Sequence, residues 1–208
     1  VDQIPKKIIV PPLPLTPEEV ANLFLPKEEY PAKKIKGQWK DVVEKKKPDG
    51  TEKIVEDSGW NSNMIVQGMP KILGGLMKGE GTFTGGILYH AQGNGLPAWD
   101  PLLTPPTPSY YSTQLVAEYF RKPPTSISYL DPGGLPSAAI TGSILIQTIL
   151  DYTEANGMAG EYIREQGLFC GTATGAANSG IMASVINHVA KWKDATVKIT
   201  RYWNIIFQ

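Results

Sequence analysis

The side chains able to do chemistry are few. His90, His188 and Cys170 are the whole supply of imidazole and thiol in 208 residues. Cys170 stands in Gly167-Leu168-Phe169-Cys170-Gly171 with no adjacent cation to favour a thiolate, so it reads as a buried structural thiol and not a nucleophile. A single cysteine supplies neither an internal disulfide nor a multi-thiolate zinc site. The histidines together with Glu161, Glu165 or Asp100 have the chemistry to hold a metal, but no ligand spacing selects them. No Gly-x-Ser-x-Gly elbow and no Gly-x-x-x-x-Gly-Lys-Ser/Thr phosphate loop occurs. Gly93-Asn94-Gly95 lacks the third glycine of a dinucleotide fingerprint and reads as a turn. No cofactor is expected.

Asp100, Glu118, Asp131, Asp151, Glu161 and Glu165 could furnish two carboxylates for glycan hydrolysis, and the sequence selects no pair among them. Glu118 with Arg121, and Glu161 or Glu165 with Arg164, read instead as structural ion pairs or solvated charges. Trp39, Trp60, Trp99, Trp192 and Trp203 could build a carbohydrate platform. Large aromatics also anchor cores and protein interfaces, the favoured reading here, with Trp99 placed at a subunit interface.

These residues need elements to hold them. Lys plus Arg and Asp plus Glu number 20 each, so no net field draws the chain to nucleic acid or to an anionic membrane. No run approaches the roughly 18 apolar residues of a spanning helix, and the N-terminus carries no signal-like apolar core. A soluble protein made in the cytoplasm is expected. There are 21 glycines and 18 prolines, where average usage would give about 25 in all, so turns and irregular segments are many.

Residues 1–36 contain Pro5, Pro11, Pro12, Pro14, Pro17, Pro26 and Pro31, which remove backbone donors and bias their neighbours to extended conformations. Ile8, Ile9, Val10, Leu13, Leu15, Leu23 and Phe24 are interleaved with them, too apolar a set for a solvated linker. This arm is expected to lie across a neighbouring subunit, with one or two helical turns from a Thr16 cap to Phe24. A β-hairpin is expected over 37–60 around Pro48-Asp49-Gly50, where Pro presets φ and Gly accepts a positive one. Its many lysines and acids suggest a protruding, solvated ribbon.

Met64, Ile65, Met69, Ile72, Leu73, Leu76 and Met77 follow a possible cap at Asn61-Ser62 and precede Gly79, the pattern of an amphipathic helix that Pro70 should kink or restart. Strands are expected at 87–91, 125–130, 161–169, 181–189 and 196–207, with one or two more over 137–152. Residues 113–121 fit a helix or a strand equally. In the last strand either Arg201 or Tyr202 shares the face of Val197, Ile199, Trp203 and Ile205. The fold class is mainly β (α+β): a compact β-sandwich-like core over 61–208 with one principal amphipathic helix, preceded by the arm and the hairpin.

From residue 63 onward the order of motifs is distinctive: Asn63-Met-Ile-Val-Gln-Gly68, Ile87-Leu-Tyr-His-Ala-Gln-Gly93, Leu115-Val-Ala-Glu118-Tyr-Phe-Arg121-Lys122 and Glu165-Gln-Gly-Leu-Phe-Cys-Gly171. Asn178-Ser-Gly180-Ile-Met, His188, Lys193-Asp-Ala-Thr196 and Arg201 to Phe207 follow. This order resembles that of small structural proteins of tailed bacteriophages, found at the tail tip, baseplate or fibre-attachment region. The resemblance covers about 70% of the chain and implies a β-rich unit without catalytic residues, with Glu118 and Arg121 as a framework pair, packed in repeated copies around a tail axis. It implies as partners copies of itself and other virion tail proteins, with a fibre or receptor-binding protein a further candidate, and no nucleic acid or membrane. It places the protein in the virion after synthesis in the host cytoplasm. The arm and hairpin have no counterpart in that family. A glycan-binding receptor module is the alternative, and a small glycan hydrolase a more distant one.

Overall fold

The computed structural model describes residues 35–83, 85–100, 105–156 and 162–208. The arm residues Ile8, Ile9, Val10, Leu13, Leu15, Leu23 and Phe24, the helical turn at Thr16 and the carboxylate Glu161 lie outside that set.

Two antiparallel sheets pack face to face. The first runs β2 (Glu52–Asp57), β1 (Lys36–Lys46), β12 (Val197–Ile206), β9 (Ser143–Leu150), β7 (Ser126–Leu130), β8 (Pro136–Ser137), with β3 (Asn61–Ser62) also on β1. The second runs β4 (Met64–Ile65), β11 (Ile181–Trp192), β10 (Tyr162–Cys170), β5 (Ile87–Gly93), β6 (Glu118–Lys122). The described residues contain one α-helix, α1 (Gly68–Lys78), between β4 and β5 of the second sheet. The mainly β, sandwich-like class with one principal helix is therefore what this chain adopts.

The first sheet follows the two-residue period of a half-buried strand. In β1 the inward positions are Gly37, Trp39, Asp41 and Val43, and in β12 they are Val197, Ile199, Arg201, Trp203 and Ile205. Arg201, and not Tyr202, therefore faces inward. Register makes three transverse rows across β1, β12 and β9: Trp39, Trp203 and Ile146; then Asp41, Arg201 and Thr148; then Val43, Ile199 and Leu150. The outer two rows are apolar and the middle one is polar. β10 in the second sheet is buried nearly throughout, because both its faces are covered. Leu168 and Cys170 face the first sheet and α1, whereas Phe169 packs with Leu115, Val66 and Met182. The segment carrying Pro106 and Leu115 is strapped onto this second layer by bonds from Asn187 Nδ2 to Pro106 O at 2.8 Å and from Gln67 N to Tyr110 O at 2.9 Å.

Several boundaries differ from expectation, each for a physical reason. The turn of the hairpin is present: Gly50 has φ 85°, and Asp49 Oδ1 accepts from both the amide and the hydroxyl of Thr51. The hairpin does not stand apart as a ribbon, however, because β1 pairs with β12 from Lys36 to Lys45 and carries core side chains. Of the hairpin's two strands, β2 alone is exposed along its length. Residues 34–208 cluster as one compact unit. The helix begins at Gly68 and not near Met64, since Met64 and Ile65 pair with Val185 and Ser184 instead. Pro70 then falls in the first helical turn, where its missing N–H would have had no intrahelical partner, and it needs no kink. Gly79, with φ 78°, ends the helix as Glu80 N donates to Gly75 O. In the ambiguous segment, only Glu118–Lys122 becomes regular, as strand.

Candidate functional site

Both histidines are inside the sandwich, against the polar row. His90 Nε2 lies 2.9 Å from Gln166 Oε1, and Gln166 Nε2 lies 2.7 Å from His188 Nε2, whose Nδ1 faces Val189 O at 2.8 Å. Gln166 can bridge the two rings only by accepting from His90 and donating to His188, an arrangement that neutral imidazoles satisfy. Burial, reinforced by the nearby Arg201 cation, holds both rings well below the ordinary imidazole range, at about 3. Each packs against a tryptophan of the facing sheet: His188 tilted on Trp39, centroids 5.7 Å apart, and His90 edge to face with Trp203 at 5.6 Å.

The charges beside them were not anticipated. Arg201 donates through Nε and Nη2 to the two oxygens of Asp41, both side chains fully buried, and Lys191 Nζ lies 3.2 Å from Asp41 Oδ2 and also pairs with Glu56. Burial alone would raise the Asp41 carboxyl, but Arg201 and Lys191 outweigh it and bring it to about 2. The signal was the inward parity of Asp41 between Trp39 and Val43, an acid in a core register. Thr148 Oγ1, Arg201 Nη1, Gln92 Oε1 and Trp203 Nε1 find no partner in this layer among the described residues.

The other candidate acids among the described residues hold loops and turns. Glu118 accepts from Arg121 Nε at 2.5 Å and Nη2 at 2.8 Å, both side chains almost fully buried, and from the Asn178 amide at 2.8 Å. Arg121 Nη1 adds Thr174 O and Ser179 O, so the pair fixes the 171–180 loop to edge strand β6. Glu165 accepts three backbone amides, those of Gly95, Val116 and Ala117. Arg164 pairs not with Glu165, its sequence neighbour, but with Asp100, bidentate at 2.6 and 2.7 Å. Asp131 and Asp151 sit in turns, accepting from the amides of Leu135 and Tyr152. Among the described residues no three His, Cys, Asp or Glu side chains converge as a metal site.

Cys170 is buried, and burial pushes its thiol up to about 12. The tryptophans divide: Trp39, Trp99 and Trp203 are buried, while Trp60 and Trp192 are exposed. Trp99, expected at a subunit interface, is packed within its own chain, so close to Gly95 that a Cβ there would lie 2.4 Å from its ring. Trp192 meets Tyr162 edge to face at 5.2 Å, and Arg164 covers the Tyr162 ring.

Among the described residues, one open groove of the surface is apolar. Between α1 and the sheets lies a groove of about 270 Å³, lined by Met69, Leu73 and Leu76 of the helix, by Ile127 and Ile144 of the first sheet and by Phe207 just past β12, with buried Cys170 also on its wall. Leu76 and Ile127 remain about half exposed there. The helical stripe was legible as core; that it only partly covers the sandwich was not, because the gap is formed by residues far apart in sequence. No known protein family, no curated protein and no solved structure matches this chain.

Proposed function

We propose that this protein is a structural component of a virion, an adaptor in the tail, baseplate or fibre-attachment region of a tailed phage, and that it acts by subunit assembly and not by catalysis. The observation that supports assembly is the division of its chemistry between inside and outside: Glu118, Glu165 and Asp100 are bound to framework donors, while apolar side chains line a groove open to the surface. An interface of stable subunits is built from such exposed apolar area with few charges at its centre. The virion itself is suggested by the order of motifs from Asn63 to Phe207.

Deleting the coding sequence from the source genome tests the reading. The expected result is filled heads without complete, adsorbing tails in electron micrographs; normal infectious particles would end it.

The surface pair Tyr162 and Trp192, beside the Arg164–Asp100 ion pair, favours a second reading, a glycan-binding module, since an exposed aromatic face with adjacent hydrogen-bonding groups suits a sugar ring. Titration with a glycan panel should then quench tryptophan fluorescence, and Trp192→Ala should abolish the quench. The adaptor reading predicts no response to any glycan.

A further inference from the structure

The groove beside α1 has almost no polar lining, and that sets the chemistry of what can fill it. Its occupant must present aliphatic side chains and few unpaired backbone donors, because a donor brought there would lose water without gaining an acceptor. A dry apolar cavity of about 150 Å³ takes a benzene ring, so this one has room for about two leucine-sized side chains. An exposed apolar strip of this kind between a helix and a sheet also costs free energy while it is left wet.

The chain carries a segment with that chemistry. Ile8-Ile9-Val10-Pro11-Pro12-Leu13-Pro14-Leu15 has no charged residue, five aliphatic side chains and three positions without a backbone N–H. Proline also fixes φ beforehand, so such a peptide loses less entropy on binding than an ordinary one. Twenty residues separate Leu15 from the first strand, with Pro17, Pro26 and Pro31 among them; with the turns expected from Thr16 to Phe24 at about 1.5 Å per residue and the rest at the polyproline rise of about 3.1 Å, this length reaches about 45–50 Å, enough to arrive at another subunit. Ile35, where the described chain begins, packs against the same apolar cluster to which Ile205 and Phe207 of the groove belong.

We infer that the groove formed by α1, Ile127, Ile144 and Phe207 receives the Ile8–Leu15 segment of a second copy of this chain. Each copy then gives an arm and accepts one, a head-to-tail contact that closes into a ring or continues as a stack. The inference deepens the adaptor reading and rests on it for its purpose, but its geometry can be tested apart from any particle. Leu73 and Leu76 are the anchoring contacts on the helix, and Leu13 and Leu15 are their partners on the arm.

The test uses the full-length protein with p-benzoylphenylalanine in place of Leu13, prepared as an equal mixture of light and nitrogen-15-labelled chains and irradiated. Mass spectrometry of the digest should show a cross-link to the Gly68–Lys78 peptide joining light to heavy chains. Leu76→Glu, at a half-exposed position that the fold does not need, should lower that yield at least fivefold. Cross-links confined to chains of one label would mean that the arm serves its own body, and would overturn the exchange between copies. Cross-links to another surface, or none at the highest soluble concentration, would overturn the groove as the site. If purified particles contain the protein while the cross-link falls elsewhere, the groove inference fails and the adaptor reading stands; the reverse pattern leaves a self-assembling protein that is not a virion component.

Discussion

Asp41 and Arg201 show how much a single register position decides. They face each other across β1 and β12 in the middle of an apolar interior, where an ion pair is costly to assemble and more costly to break. Asp41→Asn leaves Arg201 buried without its counter-charge and should destabilise the protein by about 3–5 kcal/mol in chemical denaturation at neutral pH. Thr148, the third residue of that row, has a buried hydroxyl without a partner. Thr148→Val removes a desolvated group at constant shape and should be neutral or raise stability by about 1 kcal/mol; a loss above 1 kcal/mol would show that the hydroxyl is satisfied in solution.

The two imidazoles set the acid response. Their folded values are about 3, below the ordinary 6.5, so the unfolded chain binds protons first as pH falls, and stability drops from about pH 6.5 towards 3. Asp41, held at about 2 against an ordinary 3.8, acts in the same direction but later: its contribution is whole above pH 3.8 and disappears as pH approaches 2. Each histidine should steepen the fall by up to about 1.4 kcal/mol per pH unit. Denaturation between pH 7 and 4 should therefore show a slope that His188→Gln reduces by about half, whereas a flat profile would place the imidazoles in water.

At the scale of elements, the helix is held by how closely it approaches the second sheet. A Cβ on Gly68 would lie 2.0 Å from the carbonyl oxygen of Met182 on β11, an atom that cannot rotate away. Gly68→Ala should push α1 off the sheet at a cost of about 1–3 kcal/mol and raise binding of a hydrophobic dye at the groove; an unchanged melting temperature would contradict this packing. Elements with a local cause were legible beforehand: the Pro48-Asp49-Gly50 turn, the alternation of β12 and the stop at Gly79 each follow from a few consecutive residues. The start of α1 was not, because the backbone of Met64 and Ile65 is claimed by β11, more than a hundred residues away. The standing of the hairpin was hidden for the same reason. Its outward residues are charged, and nothing local says that β12 binds its other edge. The polar layer was not legible: the parity of the last strand left Arg201 or Tyr202 open, and only the register puts Asp41, Thr148 and the two histidines beside Arg201.

For the whole molecule, the central claim is that this chain works by being built into a larger body. What supports it is a sandwich in which Glu118, Glu165, His90 and His188 brace loops and layers, an apolar groove left open and an apolar, proline-rich arm in the sequence, the kind of exposed apolar area that marks a protein contact. Quantitative mass spectrometry of gradient-purified particles from the source sample tests this most directly. The account predicts that the protein co-sediments with capsid and tail proteins at a fixed ratio, a small integer multiple of the tail symmetry. Recovery only in the particle-free fractions would contradict it.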